Sequence, residues 1–93
     1  MTVRWQVRAF AEAMERKLAA NDHKGGWEDC SIDYLIKRLR QETSELLKVA
    51  GDREARTLTN EEAEKVLNEA ADVANFAMMI ADVCDGLERP VKS

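Results

Sequence analysis

Apolar residues recur every three or four positions along three segments of the chain, which is the spacing of one face of an α-helix. Polar or glycine-containing stretches, including "NDHKGG" and "DREART", separate these segments. We therefore predict an all-α fold with three helices at about residues 3–20, 31–50 and 60–85. Residues 87–93 are predicted to form a loose tail.

The predicted helix ends have recognisable capping residues. Thr59 is followed three residues later by Glu62, which is the pattern of a capping box at a helix N-terminus. Gly51 follows the second apolar segment and is predicted to be its C-cap. Gly86 is predicted to end the third helix.

The third helix is apolar on nearly every side from Ala70 to Cys84. A helix that is apolar all round must be covered all round, and two other helices of one chain are too few for this. We therefore expect chains to pair into a four-helix or larger bundle, as a homodimer or homotetramer, with the third helix at its centre.

The composition and charge of the chain limit its domain number, its partners and its cellular compartment. The chain of 93 residues is 45% hydrophobic and 34% charged, which fits one small helical domain over residues 1–93. Its net charge of -4 argues against nucleic-acid binding, since phosphate backbones require a surplus of Lys and Arg. No segment resembles a signal peptide or a membrane span, and Cys30 and Cys84 lack metal-ligand spacing. We expect a cytoplasmic protein with free thiols and no membrane partner.

Glu42 interrupts the apolar stripe of the second helix, at a position where a leucine would be expected. Glu45 lies three residues later, and Glu69 and Asp72 repeat this spacing on apolar stripes of the third helix. When these helices pack together, four carboxylates would share one partly buried volume, which is costly unless a cation binds there. Oxygen ligands of this kind suit a hard divalent cation such as Mg²⁺.

Two other interpretations of the carboxylates fit the sequence less well than a magnesium site. Glutamates three residues apart are common on the solvated faces of helices, but here both acidic pairs fall on apolar stripes. A ferritin-like di-iron centre requires Glu-x-x-His motifs, whereas His23, the one histidine, lies in a loop ahead of the second helix. The pattern therefore favours the magnesium site.

The two acidic motifs resemble the signature of the MazG-like all-α nucleoside triphosphate pyrophosphohydrolases. E-x-x-E appears as "ETSE" at residues 42–45 and E-x-x-D as "EAAD" at residues 69–72, with 23 residues between them. The flanking "L-x-x-E-x-x-E-L" and the apolar run "VANFAMMIADVC" also match, so the resemblance covers about residues 21–84. The "HKGGW" loop is similar to that of short, phage-associated members.

The resemblance implies a hydrolase that cleaves a (d)NTP between the α and β phosphates and releases the (d)NMP and pyrophosphate. It implies that Glu42, Glu45, Glu69 and Asp72 hold Mg²⁺, or Mn²⁺ in its place, which would bridge phosphate oxygens and lower the pKa of the attacking water. A carboxylate not fully occupied by metal, Glu45 or Glu42, would orient or deprotonate this water. Related phosphoribosyl-ATP pyrophosphohydrolases share the carboxylate plan, so the substrate stays open.

Five further residues are candidates for substrate binding, and each has a structural alternative. Asn75 bonds either a ribose or base edge or a polar group within the core. Trp27 either stacks on a nucleobase or closes the end of the bundle. Lys24 and His23 either reach the ligand or belong to a solvated turn. Arg38 contacts either phosphate or the first acidic pair, one turn away.

A second hypothesis belongs to another functional class. The same residues are compatible with a catalytically silent helical bundle that binds nucleotide or metal as a regulator, or that acts as an oligomeric adaptor. Release of pyrophosphate from nucleoside triphosphates in the presence of Mg²⁺ distinguishes the enzyme from this bundle.

Overall fold

The computed structural model describes residues 2–51 and 57–90, so the predicted connector is largely outside it, as are residues 91–93 of the predicted tail. The described residues form no strand, which confirms the all-α prediction. The helices are α1 (Trp5–Ala20), α2 (Ile32–Ala50) and α3 (Asn60–Val83), with a short 3₁₀-helix (Asp22–Lys24) between the first two. None of the described helices has an apolar stretch long enough to cross a bilayer.

The N-termini of α2 and α3 are capped by side chains. Ser31 Oγ accepts a hydrogen bond from the Tyr34 backbone N–H at 3.1 Å. At the start of α3, Thr59 Oγ1 accepts from the Glu62 N–H at 3.1 Å, and Glu62 Oε1 accepts from the Thr59 N–H at 3.2 Å. The predicted capping box is therefore confirmed.

The C-terminus of α3 is closed by a Schellman motif around Asp85. The Gly86 N–H donates to the Ala81 carbonyl at 2.8 Å, and the Asp85 N–H donates to the Asp82 carbonyl at 2.9 Å. Asp85 has φ of 62° and so occupies the left-handed position that glycine usually fills. Aspartate tolerates this conformation better than most residues. α3 therefore ends at Val83, and Gly86, which the sequence predicts to end the helix, follows the left-handed residue.

α3 is the central helix of the fold. It packs against both other helices, whereas no Cα atom of α1 lies within 8 Å of a Cα atom of α2. Lys17 lies beside Asp72, and the Met14 carbonyl accepts a hydrogen bond from Asn75, so α1 runs antiparallel to α3. Arg38 lies over Phe76, and Glu42 lies beside Glu69 and Asp72, so α2 is likewise antiparallel to α3. A cleft remains between α1 and α2, with α3 as its floor.

The single chain is more open than a compact domain of the same mass. Its accessible surface is 7496 Å², against about 5,400 Å² for a folded monomer of this mass. Its radius of gyration is 14.9 Å, against about 12 Å for a compact domain of this length. Only four of the described residues are fully buried, namely Ala13, Leu35, Ala71 and Asn75. Much apolar surface of the helices therefore remains accessible to water in the isolated chain.

Candidate functional site

Three of the four predicted metal ligands meet where α2 crosses α3. Glu42, Glu69 and Asp72 each offer a carboxylate oxygen, and these oxygens lie within 4.8 Å of one another. α3 brings Glu69 and Asp72 together because residues three apart are neighbours on a helix surface. The Glu42 side chain is only 15% exposed. We call these three residues the acidic cluster.

The acidic cluster is electrostatically strained. Burial raises the pKa of the Glu42 carboxyl above its ordinary value, and the nearby charge of Asp72 raises it further. Glu69 acts in the same direction, whereas the charge and hydrogen bond of Arg38 lower the pKa and only partly offset the other effects. An additional cation at this position would favour the ionised form of Glu42.

Two cationic side chains flank the acidic cluster. Arg38 Nη2 donates to Glu42 Oε1 at 3.0 Å, and the guanidinium carbon lies 5.1 Å from the centre of the Phe76 ring. Lys17 Nζ lies 3.4 Å from Asp72 Oδ2, so α1 also reaches the cluster. Sequence reasoning selected Arg38 but missed Lys17. The signal for Lys17 was its place four residues after Ala13, on the side of α1 that packs against α3.

Glu45 lies apart from the other three predicted ligands. Its side chain is 52% exposed, and its Oε1 atom lies 3.4 Å from Lys48 Nζ. The structure therefore does not bring all four carboxylates together. Glu45 is one helical turn beyond Glu42 and has a carboxylate that is independent of the acidic cluster.

The oxygen spacing of the acidic cluster suits a small divalent cation. Oxygen ligands of an octahedral Mg²⁺ ion are about 3.0 Å apart when adjacent and about 4.2 Å apart when opposite, since each lies about 2.1 Å from the ion. The three oxygens of the acidic cluster lie within 4.8 Å of one another, so side-chain rotations would bring them to these distances. Mg²⁺ usually keeps several water ligands, so three carboxylates are sufficient.

The acidic cluster borders a cleft of about 770 Å³ between α1 and α2. This volume is within the usual range of small-molecule sites. Lys17, Arg38, Glu42 and Asp72 line one part of it, and Trp27 contributes to another. Trp27 donates its indole N–H to Asp82, ten residues beyond Asp72 on α3, a separation of about 15 Å along the helix. The cleft thus combines a charged region with an aromatic one.

The loop before α2 supplies the aromatic region. Gly25 has φ of 91°, which favours glycine, and Gly25, Gly26 and Trp27 all line the cleft. Lys24 lines it as well, whereas His23 is exposed and is not among the lining residues. Tyr34, which is 51% exposed, is a further lining residue that the sequence interpretation did not include.

Asn75 is a buried amide on the floor of the cleft, only 4% exposed. Its Nδ2 atom donates to the Met14 carbonyl at 3.1 Å. Its Oδ1 atom accepts no hydrogen bond from any part of the chain that the structure describes. An unsatisfied buried acceptor costs about 1–3 kcal/mol, and such atoms are few in native proteins. Asn75 therefore both ties α3 to α1 and has an oxygen available for a donor.

Comparisons with protein-family models, with curated proteins and with solved structures gave no match. The resemblance to the MazG-like enzymes therefore remains a prediction from the motif and its helical context.

Proposed function

We propose that this chain is a MazG-like, short phage-type nucleoside triphosphate pyrophosphohydrolase that requires Mg²⁺, with Mn²⁺ as a substitute. The main support is the acidic cluster, in which α2 and α3 bring three carboxylates together beside a cleft of nucleotide size. A divalent cation bound there would neutralise phosphate charge and lower the pKa of a bound water. The proposed reaction adds water across the α–β phosphoanhydride and yields the (d)NMP and pyrophosphate.

The residues of the acidic cluster and their neighbour have separate proposed roles. Glu42, Glu69 and Asp72 would hold the cation, because their oxygens are already close together. Glu45 would accept the proton of the attacking water, because its carboxylate is outside the acidic cluster and is paired only loosely with Lys48 among its described neighbours. The proton leaves the water as its oxygen bonds to the α phosphorus, and the bond to the bridging oxygen of pyrophosphate breaks.

The remaining residues of the cleft would bind the nucleotide. Arg38 and Lys17 would contact phosphate oxygens, since both pair with carboxylates that a cation would engage. Trp27 would stack on the base, and Asn75 Oδ1 would accept a hydrogen bond from a sugar hydroxyl or a base amino group. Lys24, beside Gly25, would add a further positive charge at the rim.

The decisive test is a panel of ribo- and deoxyribonucleoside triphosphates incubated with pure protein and Mg²⁺, followed by detection of pyrophosphate. We expect pyrophosphate and the monophosphate in equal amounts, and no product in excess chelator. Glu69→Gln is the matched control for contaminating activity. Nucleotide binding without pyrophosphate release would instead identify the catalytically silent bundle.

We propose further that chains associate as a dimer or tetramer through α3. Six apolar residues, five in α3 and one at its C-cap, follow an alternating spacing of four and three, which defines a continuous stripe of the coiled-coil type. This α3 seam consists of Val66, Ala70, Val73, Ala77, Ile80 and Cys84. The accessible surface of 7496 Å² exceeds that of a compact monomer by about 2,000 Å², whereas a stable interface needs about 800 Å² from each partner.

A cytoplasmic location is proposed from the cysteines. Cys30 and Cys84 are both free thiols, and Cys84 is exposed. Unpaired thiols of this kind are typical of a reducing compartment.

A further inference from the structure

Asp82 connects three separate parts of the chain. It lies in the last turn of α3, its side chain is 15% exposed, and each of its carboxylate oxygens has a different partner. Oδ2 accepts a hydrogen bond from Trp27 Nε1 at 2.9 Å, and Oδ1 accepts one from Arg89 Nη2 at 2.8 Å. The loop before α2 and the segment after α3 are therefore joined through one carboxylate.

The orientation of the Asp82 carboxylate is fixed by its surroundings. The Asp82 backbone carbonyl accepts from the Asp85 N–H of the Schellman motif at 2.9 Å and from Arg89 Nη2 at 3.5 Å. Arg89 Nε also lies 3.7 Å from Asp85 Oδ1. Because Arg89 holds one carboxylate oxygen, the other is directed to Trp27.

Trp27 needs such a constraint because its local chain does not supply one. It follows Gly25 and Gly26 in a loop, and the hydrogen bond from the Cys30 N–H to the Trp27 carbonyl, 3.0 Å long, fixes only the backbone. A hydrogen bond from the indole N–H to a charged carboxylate is stronger than one between neutral groups. It also limits rotation of the side chain about its two torsion angles, since the N–H lies at one edge of the indole.

We propose that Asp82 is a positioning residue, oriented by Arg89, that fixes the indole of Trp27 as a wall of the cleft. Its effect on nucleotide affinity rests on the proposed function, in which Trp27 stacks on the base, but the fixed indole itself does not. Asp82 contributes more than Arg89, because the Arg89 side chain is 62% exposed and exposed ion pairs are weak. Binding is thereby influenced by Asp82 and by Arg89 in the segment after α3, both of which are remote from the acidic cluster.

The first experiment measures Trp27 without nucleotide. The chain has two tryptophans, so Trp5→Phe leaves Trp27 as the sole indole fluorophore. In this background we expect Asp82→Ala to make Trp27 emission red-shifted and more readily quenched by acrylamide. Asp82→Asn retains an acceptor oxygen and should restore part of the protection, and Arg89→Gln should have a smaller effect than Asp82→Ala. Glu88→Gln removes one charge from the same exposed segment and should change nothing.

The second experiment measures steady-state hydrolysis with the same variants. We expect Asp82→Ala to raise KM about three- to tenfold, as expected for loss of a charged hydrogen bond, with kcat unchanged. In a Trp27→Phe background, which lacks the indole N–H, Asp82→Ala should have no additional effect on KM. Circular dichroism melts check that each variant is folded.

The outcomes separate this proposal from the proposed function. Unchanged quenching in both Asp82 variants, or a KM increase that persists in the Trp27→Phe background, overturns the positioning role. If no nucleotide is hydrolysed by the wild type, the proposed function fails, while the quenching data still decide whether Asp82 fixes Trp27.

Discussion

Lys17 Nζ lies 3.4 Å from Asp72 Oδ2, so an ammonium group of α1 neutralises a carboxylate of the acidic cluster on α3. The two side chains are 34% and 24% exposed, so their pairing is partly screened by water. The lysine therefore remains available to a stronger anion. When a cation engages Asp72, a phosphate group is the partner that Lys17 would take.

Replacement of Lys17 by Gln tests this exchange of partners. We expect KM for the nucleoside triphosphate to rise about three- to tenfold, which is the range for a charge-assisted hydrogen bond weakened by solvent. Arg16→Gln is the control, since Arg16 is exposed on the same helix and does not line the cleft. Equal KM values for the two variants would show that Lys17 only ties α1 to α3.

The raised pKa of Glu42 predicts a pH-dependent stability in the absence of divalent cations. The native state binds the Glu42 proton more tightly than the unfolded state, whose carboxyl titrates near the ordinary value of 4.5. The stability contributed by this proton is fully present below that value and is lost as pH rises through the higher native pKa. In chelator at neutral pH, Glu42→Gln should therefore melt above wild type, and the difference should shrink toward about pH 4.

Thermal melts in chelator at several pH values provide this measurement. Glu64→Gln is a suitable control, because Glu64 is an exposed glutamate of α3. A Glu42→Gln variant that is less stable than wild type at neutral pH would mean that the bond to Arg38 outweighs the cost of burial.

The separate positions of Glu45 and Glu69 predict different losses when each becomes Gln. Glu69→Gln should abolish turnover and also remove most of the Mg²⁺-induced rise in melting temperature, because it disrupts the acidic cluster. Glu45→Gln should abolish turnover yet keep the Mg²⁺ effect. An ion at a hundredfold excess over its dissociation constant stabilises the native state by about 2.7 kcal/mol, which is readily seen in a melt. Loss of the Mg²⁺ effect in both variants would place Glu45 among the ligands.

The α3 seam predicts that the protein in solution is larger than one chain. Light scattering at micromolar concentration should give the mass of a dimer or tetramer. Ala77→Arg puts a long charged side chain on the seam and should yield monomers, whereas Asn68→Arg, at an exposed position of α3 outside the seam, should not. If the wild type is a monomer, the α3 seam is not an interface between chains and this prediction is wrong.

The helices could be predicted from the sequence because the signals that define them are local. The capping box of Thr59 and Glu62 involves residues three apart, and the helical apolar spacing is likewise local. The end of α3 was placed at Gly86 because glycine usually fills the left-handed position, whereas here Asp85 occupies it. Gly51 follows α2 as expected, but its backbone angles are those of a right-handed helix. The left-handed conformation that glycine allows is therefore not used at this position.

The acidic cluster was predictable because its residues interrupt an apolar stripe. Glu42, Glu69 and Asp72 are of this kind, and the structure brings them together. Lys17 pairs with Asp72, and Trp27 bonds to Asp82, and in each pair the partners are 55 residues apart in the sequence. No local pattern specifies such pairs, because they depend on the packing of α1 and of the loop before α2 on α3.

The gap between α1 and α2 makes α1 the element that can detach without disturbing the rest of the fold. α2 and α3 pack directly on each other, whereas α1 packs on α3 and none of its Cα atoms lies within 8 Å of one in α2. A local opening of α1 breaks the Lys17–Asp72 pair and the Asn75 hydrogen bond, and it leaves the acidic cluster assembled. Amide protons of α1 should therefore exchange with solvent through a sub-global opening of lower free energy than that of α3. The same opening widens the route by which a bulky ligand enters and leaves.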